Sequence, residues 1–266
     1  MSANSAPGKG SVMAVYTPRR SVAAVDAKPA AGVPGVMLAR LAALGGAVFF
    51  VLVIINVSFR SGAPSATDSG QSVFDYVAQH HGRLQLGAVL TGLAMSAALL
   101  WVSGLFRALR RAEDGLPGLA VTALAGGILA AASTAMTALI QGTMATRIDD
   151  LGPAGVRVWW TMYLLSTGAT LLGLLVLIGA TAIVCLQRRL FETWFAVTSA
   201  VLALASVVGA FTIGYVTSGI QAVGGIAILL DSVWILLVSV RLWRTPELAV
   251  SCAGPVEQWS CHRAGV

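Results

Sequence analysis

The chain has 266 residues, 57% of them hydrophobic and only 11% charged, with a mean hydropathy of +0.82, and these values exclude an ordinary soluble globular domain. A net charge of +6 and a sequence pI near 9.8 would suit a nucleic-acid binder. The basic residues, however, fall at the ends of apolar stretches, so the expected surroundings are a lipid bilayer and no nucleic acid.

In chain order, residues 1–35 mix Gly, Ser, Pro and Ala with scattered charge and no periodicity, which predicts a disordered basic arm. Six stretches are then long and apolar enough to cross a bilayer, which takes about 20 residues per helix. They run near Val36 to Ser58, Leu84 to Phe106, Leu116 to Gln141, Trp159 to Leu186, Trp194 to Tyr215 and Ile220 to Val240. Residues 36–243 thus form an all-α, six-helix transmembrane domain, and 244–266 a cytoplasmic tail. A cleaved signal peptide ending near Ala63-Pro64-Ser65-Ala66 is disfavoured, because the first apolar run exceeds the usual roughly 7 to 15 residues.

Lys9, Arg19, Arg20, Lys28, Arg40, Arg107, Arg110, Arg111, Arg188, Arg189, Arg241, Arg244 and Arg263 fall on one side of these spans, and Arg60, Arg83, Arg147 and Arg157 on the other. The positive-inside bias makes the first side cytoplasmic, with both termini inside. Trp159, Trp160, Tyr163 and Tyr215 at outer helix ends, and Trp194 and Trp243 at inner ends, read as an aromatic belt.

Between the first two spans, Ser72-Val73-Phe74-Asp75 has capping-box spacing and predicts a helix running into the second span. Asp149-Asp150 followed by Gly152-Pro153 predicts a turn. Small residues four apart, Ser206, Ala210 and Gly214, Ala169 and Gly173, and Gly92 and Ser96, predict close helix contacts. Arg110-Arg111 with Ala120-Val121-Thr122, and Arg188-Arg189 with Ala196-Val197-Thr198, recur roughly 77 residues apart, too weak a match to establish the duplication that transporters often show.

The stretch from Asp75 through Glu113 carries His81-Gly82-Arg83 where a helix begins, then Leu100-Trp101, then Leu109-Arg110-Arg111-Ala112-Glu113 where it leaves the membrane. In these features it resembles a group of polytopic membrane proteins, without an assigned activity, common in high-GC Gram-positive bacteria. The resemblance implies a bacterial plasma membrane and no particular chemistry.

Asp231 stands about 11 positions into the sixth span, near the bilayer midplane at a rise of about 1.5 Å per residue. An anion there costs at least about 2.5–3.5 kcal/mol, so Asp231 is expected to face the bundle, on the side of Ile220, Gly224 and Ala227. It is either a proton- or cation-responsive site, with Gln141, Gln221 and nearby hydroxyls, or a neutral carboxyl bonded to a neighbouring group. Asp75, His80, His81 and Arg83 crowd the outer end of the second span as a second, pH-sensitive candidate, although adjacent histidines diverge by about 100° and suit no shared metal. Asn56-Val57-Ser58 fits a glycosylation pattern but lies at the membrane edge. Cys185, Cys252 and Cys261 form no metal or disulfide motif.

No catalytic constellation is legible, so neither enzymatic activity nor a cofactor is expected. The readings that survive are a small-solute, cation or proton transport-type bundle, and an accessory membrane protein that binds an unidentified protein partner or a second copy of itself.

Overall fold

The computed structural model describes residues 35–60, 62–113, 118–188, 192–215 and 218–245; the expected arm and tail, Leu116 and Arg189 lie outside them. Regular structure among these residues is entirely helical: α1 (Gly35–Ser58), α2 (Gly70–Ala112), α3 (Leu119–Thr146), α4 (Ile148–Arg188), α5 (Thr193–Tyr215) and α6 (Ser218–Arg244). All six are long and apolar enough to cross a membrane. The side chains of Tyr215 and Gln221 are outside the described set.

Local sequence explains the ends. Asp68 Oδ2 accepts from Ser65 N at 2.7 Å in the turn after α1, and Gly62 takes φ +76°, which favours a residue without Cβ. The cap of α2 is Ser69, whose Oγ accepts from Ser72 N at 3.2 Å. The predicted box at Ser72 therefore sits one turn too late, but α2 does run unbroken into the second span over 43 residues. Glu113 closes α2 and then caps the next helix, its Oε1 accepting from Ala120 N at 2.9 Å.

The expected turn falls at Gly152, whose φ of +59° separates a first helical turn starting at Ile148 from the long helix that resumes at Pro153. Proline suits that restart because the first residues of a helix have no carbonyl to donate to.

Neighbouring helices pack antiparallel, α1 against α6 completes the ring, and α4 touches α2, α3, α5 and α6. Arg40, Arg107, Arg110, Arg111, Arg241 and Arg244 gather at one end of the bundle, here the basic end; Arg60, Arg83, Arg147 and Arg157 lie at the other, the Arg60 end. The outer surface is apolar, with Val89, Leu100, Leu139, Val201 and Leu204 all exposed. In lipid, which is as apolar as these side chains, close fit rather than water exclusion would hold such helices together.

Glycine supplies that fit on α3 and α4. A Cβ on Gly173 would come within 2.5 Å of Ala130 N, and one on Gly126 within 2.6 Å of Leu177 N. The expected contact at Gly92 does not form, since a Cβ there would meet nothing. At the basic end, Glu192 joins the α4–α5 connection to α6 by accepting from Arg241 Nη1 at 3.1 Å and from Trp194 Nε1. These two donors hold its carboxyl below the usual glutamate range.

Two stability measurements follow from these contacts. Gly173→Ala is expected to lower the melting temperature of detergent-purified protein, at an overpacking cost of about 1–3 kcal/mol, whereas Gly92→Ala leaves it unchanged. Glu192→Gln is expected to give a small, salt-sensitive loss at neutral pH. Because the folded carboxyl titrates lower, Glu192's contribution is complete above the unfolded value of about 4.3 and is lost as pH falls through the folded one, so variant and wild type converge in acid.

Candidate functional site

The basic half of the bundle is closed. A Cβ on Gly46 of α1 would lie 2.0 Å from Ser239 Oγ and 2.5 Å from Trp101, and Arg40 lies over the Trp243 ring at 5.6 Å. Trp101 meets Trp234 edge-on at 5.9 Å, and Trp234 Nε1 donates to Ser199 Oγ at 2.8 Å. Beyond this plug the helices leave a cavity of about 510 Å³, inside the roughly 300–1,000 Å³ range of small-molecule sites. It extends along α1 from Phe49 to Arg60 and takes walls from all six helices.

Its lining is divided. Phe49, Val53, Ala94, Leu174, Ile213, Ile228 and Leu229 are apolar; Asn56, Thr91, Thr134, Thr137, Thr167, Thr170 and Ser232 are polar. The hydroxyls are already committed, because Thr91, Thr134, Thr137, Thr167, Thr170 and Ser232 each donate to the carbonyl four residues earlier at 2.7–3.2 Å. What remains available on them is acceptor capacity.

One end is cationic. The Arg60 guanidinium lies 5.0 Å from the centre of the Tyr163 ring, and Tyr163 stacks on Trp160 at 5.2 Å. Trp160 in turn meets Tyr76 edge-on at 5.9 Å, and Tyr76 stacks on His80 at 4.6 Å. Trp160 and Tyr163, expected in an interfacial belt, are buried in this column instead; Trp194 and Trp243 are exposed as a belt requires. The reason is that α2 extends past the second span and covers them.

No protein-family model, curated protein or solved structure matches the chain. Geometry alone therefore carries the functional argument.

The sequence candidates fall at three places. Asp231 is buried where α6 meets α5, with Ser206 Oγ at 2.9 and 3.1 Å from its two oxygens, and it is not among the residues lining the cavity. Gly224 packs on the same neighbour, against Ile213 and Gly209. Gln141 instead lies where α3 meets α2, its Nε2 donating to Leu84 O at 3.0 Å, so Asp231 and Gln141 occupy different helix interfaces. Gln221 is outside the described side chains.

Asp75, His80, His81 and Arg83 do not converge. Asp75 is exposed and accepts from Gln71 Nε2 at 2.8 Å; His80 Nδ1 contacts its own helix at Tyr76 O, 2.9 Å; His81 Nδ1 contacts Ala78 O, 3.1 Å; Arg83 is exposed. Among the described residues no three metal-ligating side chains meet.

Asn56, which in sequence fits only a glycosylation pattern, and Arg60, which in sequence only marks a helix end, both line the cavity. Asn56 Nδ2 donates to Gly87 O at 3.3 Å and to Thr91 Oγ1, which ties α1 to α2 and leaves no amide free for a glycan. Gly87 is the meeting point, since a Cβ there would lie 2.5 Å from Gln141 Nε2 and 3.2 Å from Asn56 Oδ1. The signal was present as an Asn and an Arg four apart at the end of an apolar helix, together with threonines three apart on α3 and α4.

Ser206 has a single hydroxyl hydrogen and two demands on it, Leu202 O at 2.9 Å and Asp231. A neutral Asp231 carboxyl satisfies both, by donating to Ser206 Oγ while Ser206 donates to Leu202 O. Asp231→Asn is therefore expected to hold the wild-type melting temperature to within about 1 kcal/mol, since an amide also donates and accepts. Asp231→Leu puts a branched apolar group against Ser206 and is expected to cost about 1–3 kcal/mol. Equal melting temperatures for the two variants would show that the Ser206 bond contributes nothing.

Proposed function

We propose that the chain is a multi-pass protein of a bacterial plasma membrane, both termini cytoplasmic, that admits a small molecule into the cavity of its outer half in a transport-type role. The cavity between the Phe49 level and Arg60 carries this reading. A bundle that only held a partner through its outer faces would have no need of such a space, and close packing would favour filling it.

The sidedness rests on charge. The helix ends crowded with arginine are assigned to the cytoplasm, which sends the Arg60 end outward. The bacterial membrane rests on the resemblance of the second span and its flanks. The close packing of Gly46 against Ser239 and Trp101 at the basic end supports an outward-facing reading, in which passage to the cytoplasm would need α1 and α6 to part there. Asp231 lies one residue from Ser232 of the cavity wall, and a proton or cation acting on it would act on the α5–α6 contact beside that wall.

Single cysteines test both the cavity and its side. With Cys185, Cys252 and Cys261 replaced by alanine, Thr137→Cys and Thr167→Cys are expected to react with a membrane-impermeant methanethiosulfonate added to the extracellular face. Ala130→Cys, packed against Gly173, is expected to stay unlabelled from either face. Failure of both threonine positions to react from either face would remove the cavity as an open site, while reaction from the cytoplasmic face alone would reverse the orientation.

A further inference from the structure

We propose that the cavity takes an amphipathic anion, a single alkyl or acyl chain ending in a phosphate, carboxylate or sulfonate, with the head at Arg60 and the chain running inward toward Phe49. The proposal rests on the reading of the cavity as a ligand site and adds the class of ligand.

The first support is the condition of Arg60. Its side chain is partly buried and its Nε is buried without a hydrogen-bond partner. Among the described residues no carboxylate pairs with it, and no acidic residue lines the cavity. The Tyr163 ring offers one face to the cation but accepts none of its hydrogens along the guanidinium plane. The buried Nε, on a cation without a carboxylate partner among the described residues, is left for a group that can accept a hydrogen bond while carrying negative charge.

The second is the direction the wall imposes. Every cavity threonine named above donates its hydroxyl hydrogen to its own helix, so the deep part offers acceptors and apolar surface but no hydroxyl donors to an anion. An anionic group is unsupported there and supported at Arg60. The rest of the guest must then be apolar, matching Phe49, Val53, Leu174, Ile213 and Ile228.

The third is length and access. From Ser58, at the end of α1 beside Arg60, to Phe49 the helix advances about 14 Å at about 1.5 Å per residue, roughly half of a hydrocarbon core of about 30 Å, which is the reach of a chain from one leaflet. Gly225 and Ile226 line the cavity and are also exposed on the bundle surface, and a Cβ on Gly225 would meet nothing. A chain can therefore enter sideways from lipid past α6.

Two sources carry this chemistry: an anionic membrane lipid inserting one chain, and a free single-chain amphiphile. The test uses the full chain in phosphatidylcholine nanodiscs with radiolabelled dodecyl phosphate, and dodecanol as the uncharged control. Wild type is expected to bind dodecyl phosphate saturably, one per chain, about tenfold more tightly than dodecanol, the factor expected of one charge-assisted hydrogen bond. Arg60→Gln should lose the tenfold preference, Arg60→Lys should retain part of it, and Ala94→Phe, which fills the cavity, should abolish binding of both.

Equal binding of the two probes by wild type, or a preference unchanged in Arg60→Gln, overturns the proposal. Should Arg60→Gln fail to fold, the partial preference in Arg60→Lys and the loss in Ala94→Phe still decide it. Nanodiscs doped with phosphatidylglycerol separate the sources: Arg60-dependent displacement of the probe identifies a membrane lipid, and undiminished binding a free amphiphile. If Thr137→Cys is labelled from outside while wild type shows no anion preference, the cavity stands and only its assignment to an anionic amphiphile falls.

Discussion

The packing of glycine against a neighbouring helix is the constraint from which the rest of the architecture follows. Helices surrounded by lipid gain nothing from excluding water, so association depends on how many atoms come within van der Waals range. Gly46 lets α1 sit against Ser239 of α6 and Trp101 of α2, and Gly104 admits Ala42 of α1. These contacts lie in the basic half. In the other half α1 meets α2 through Asn56, whose amide reaches the backbone of Gly87 and the hydroxyl of Thr91. The same helix is thus packed through glycine at one level and hydrogen-bonded at another, and it lines the cavity from Phe49 toward Arg60.

That space would be costly if its polar walls were unsatisfied. The threonines avoid the cost locally, each returning its hydroxyl hydrogen to its own backbone. Thr137 and Ser166 also lie 2.9 Å apart across the α3–α4 contact, so part of the polar wall doubles as an interhelical bond. The charged groups are kept apart. Arg60 sits at the cavity end over Tyr163, while Asp231 faces α5 through Ser206, behind the wall rather than in it. Each therefore has its own surroundings, Arg60 an aromatic ring and Asp231 a hydroxyl.

The fold was largely legible. Six apolar stretches became six helices, because a span must satisfy its own backbone and length then settles the matter. The small residues Gly224 and Ala227 pack against α5 beside Asp231, as their spacing predicted. Interfacial detail was less accessible. The aromatic belt was read from rank along the chain, but whether Trp160 meets lipid or protein depends on how far α2 extends past the membrane, and its first 14 residues are too polar to register as span. The cavity was illegible for a related reason. Threonine in an apolar helix looks the same whether it packs, bonds or lines a void, and the distinction arises only when several helices are placed together.

The lining also bears on what the cavity would refuse. A wall of acceptors taken alone would welcome a cation, as rings of carbonyl and hydroxyl oxygens do in channels. Arg60 at its end opposes that, since in a low-dielectric site like charge acts over the whole depth of the cavity. A small hydrophilic anion meets the reverse difficulty: it is attracted to Arg60 but finds apolar side chains and no hydroxyl donors further in. On the proposed reading, a molecule that is anionic at one end and apolar along its length would avoid both penalties and still meet Arg60. A cavity of this kind would select by what each half cannot supply as much as by any single favourable contact.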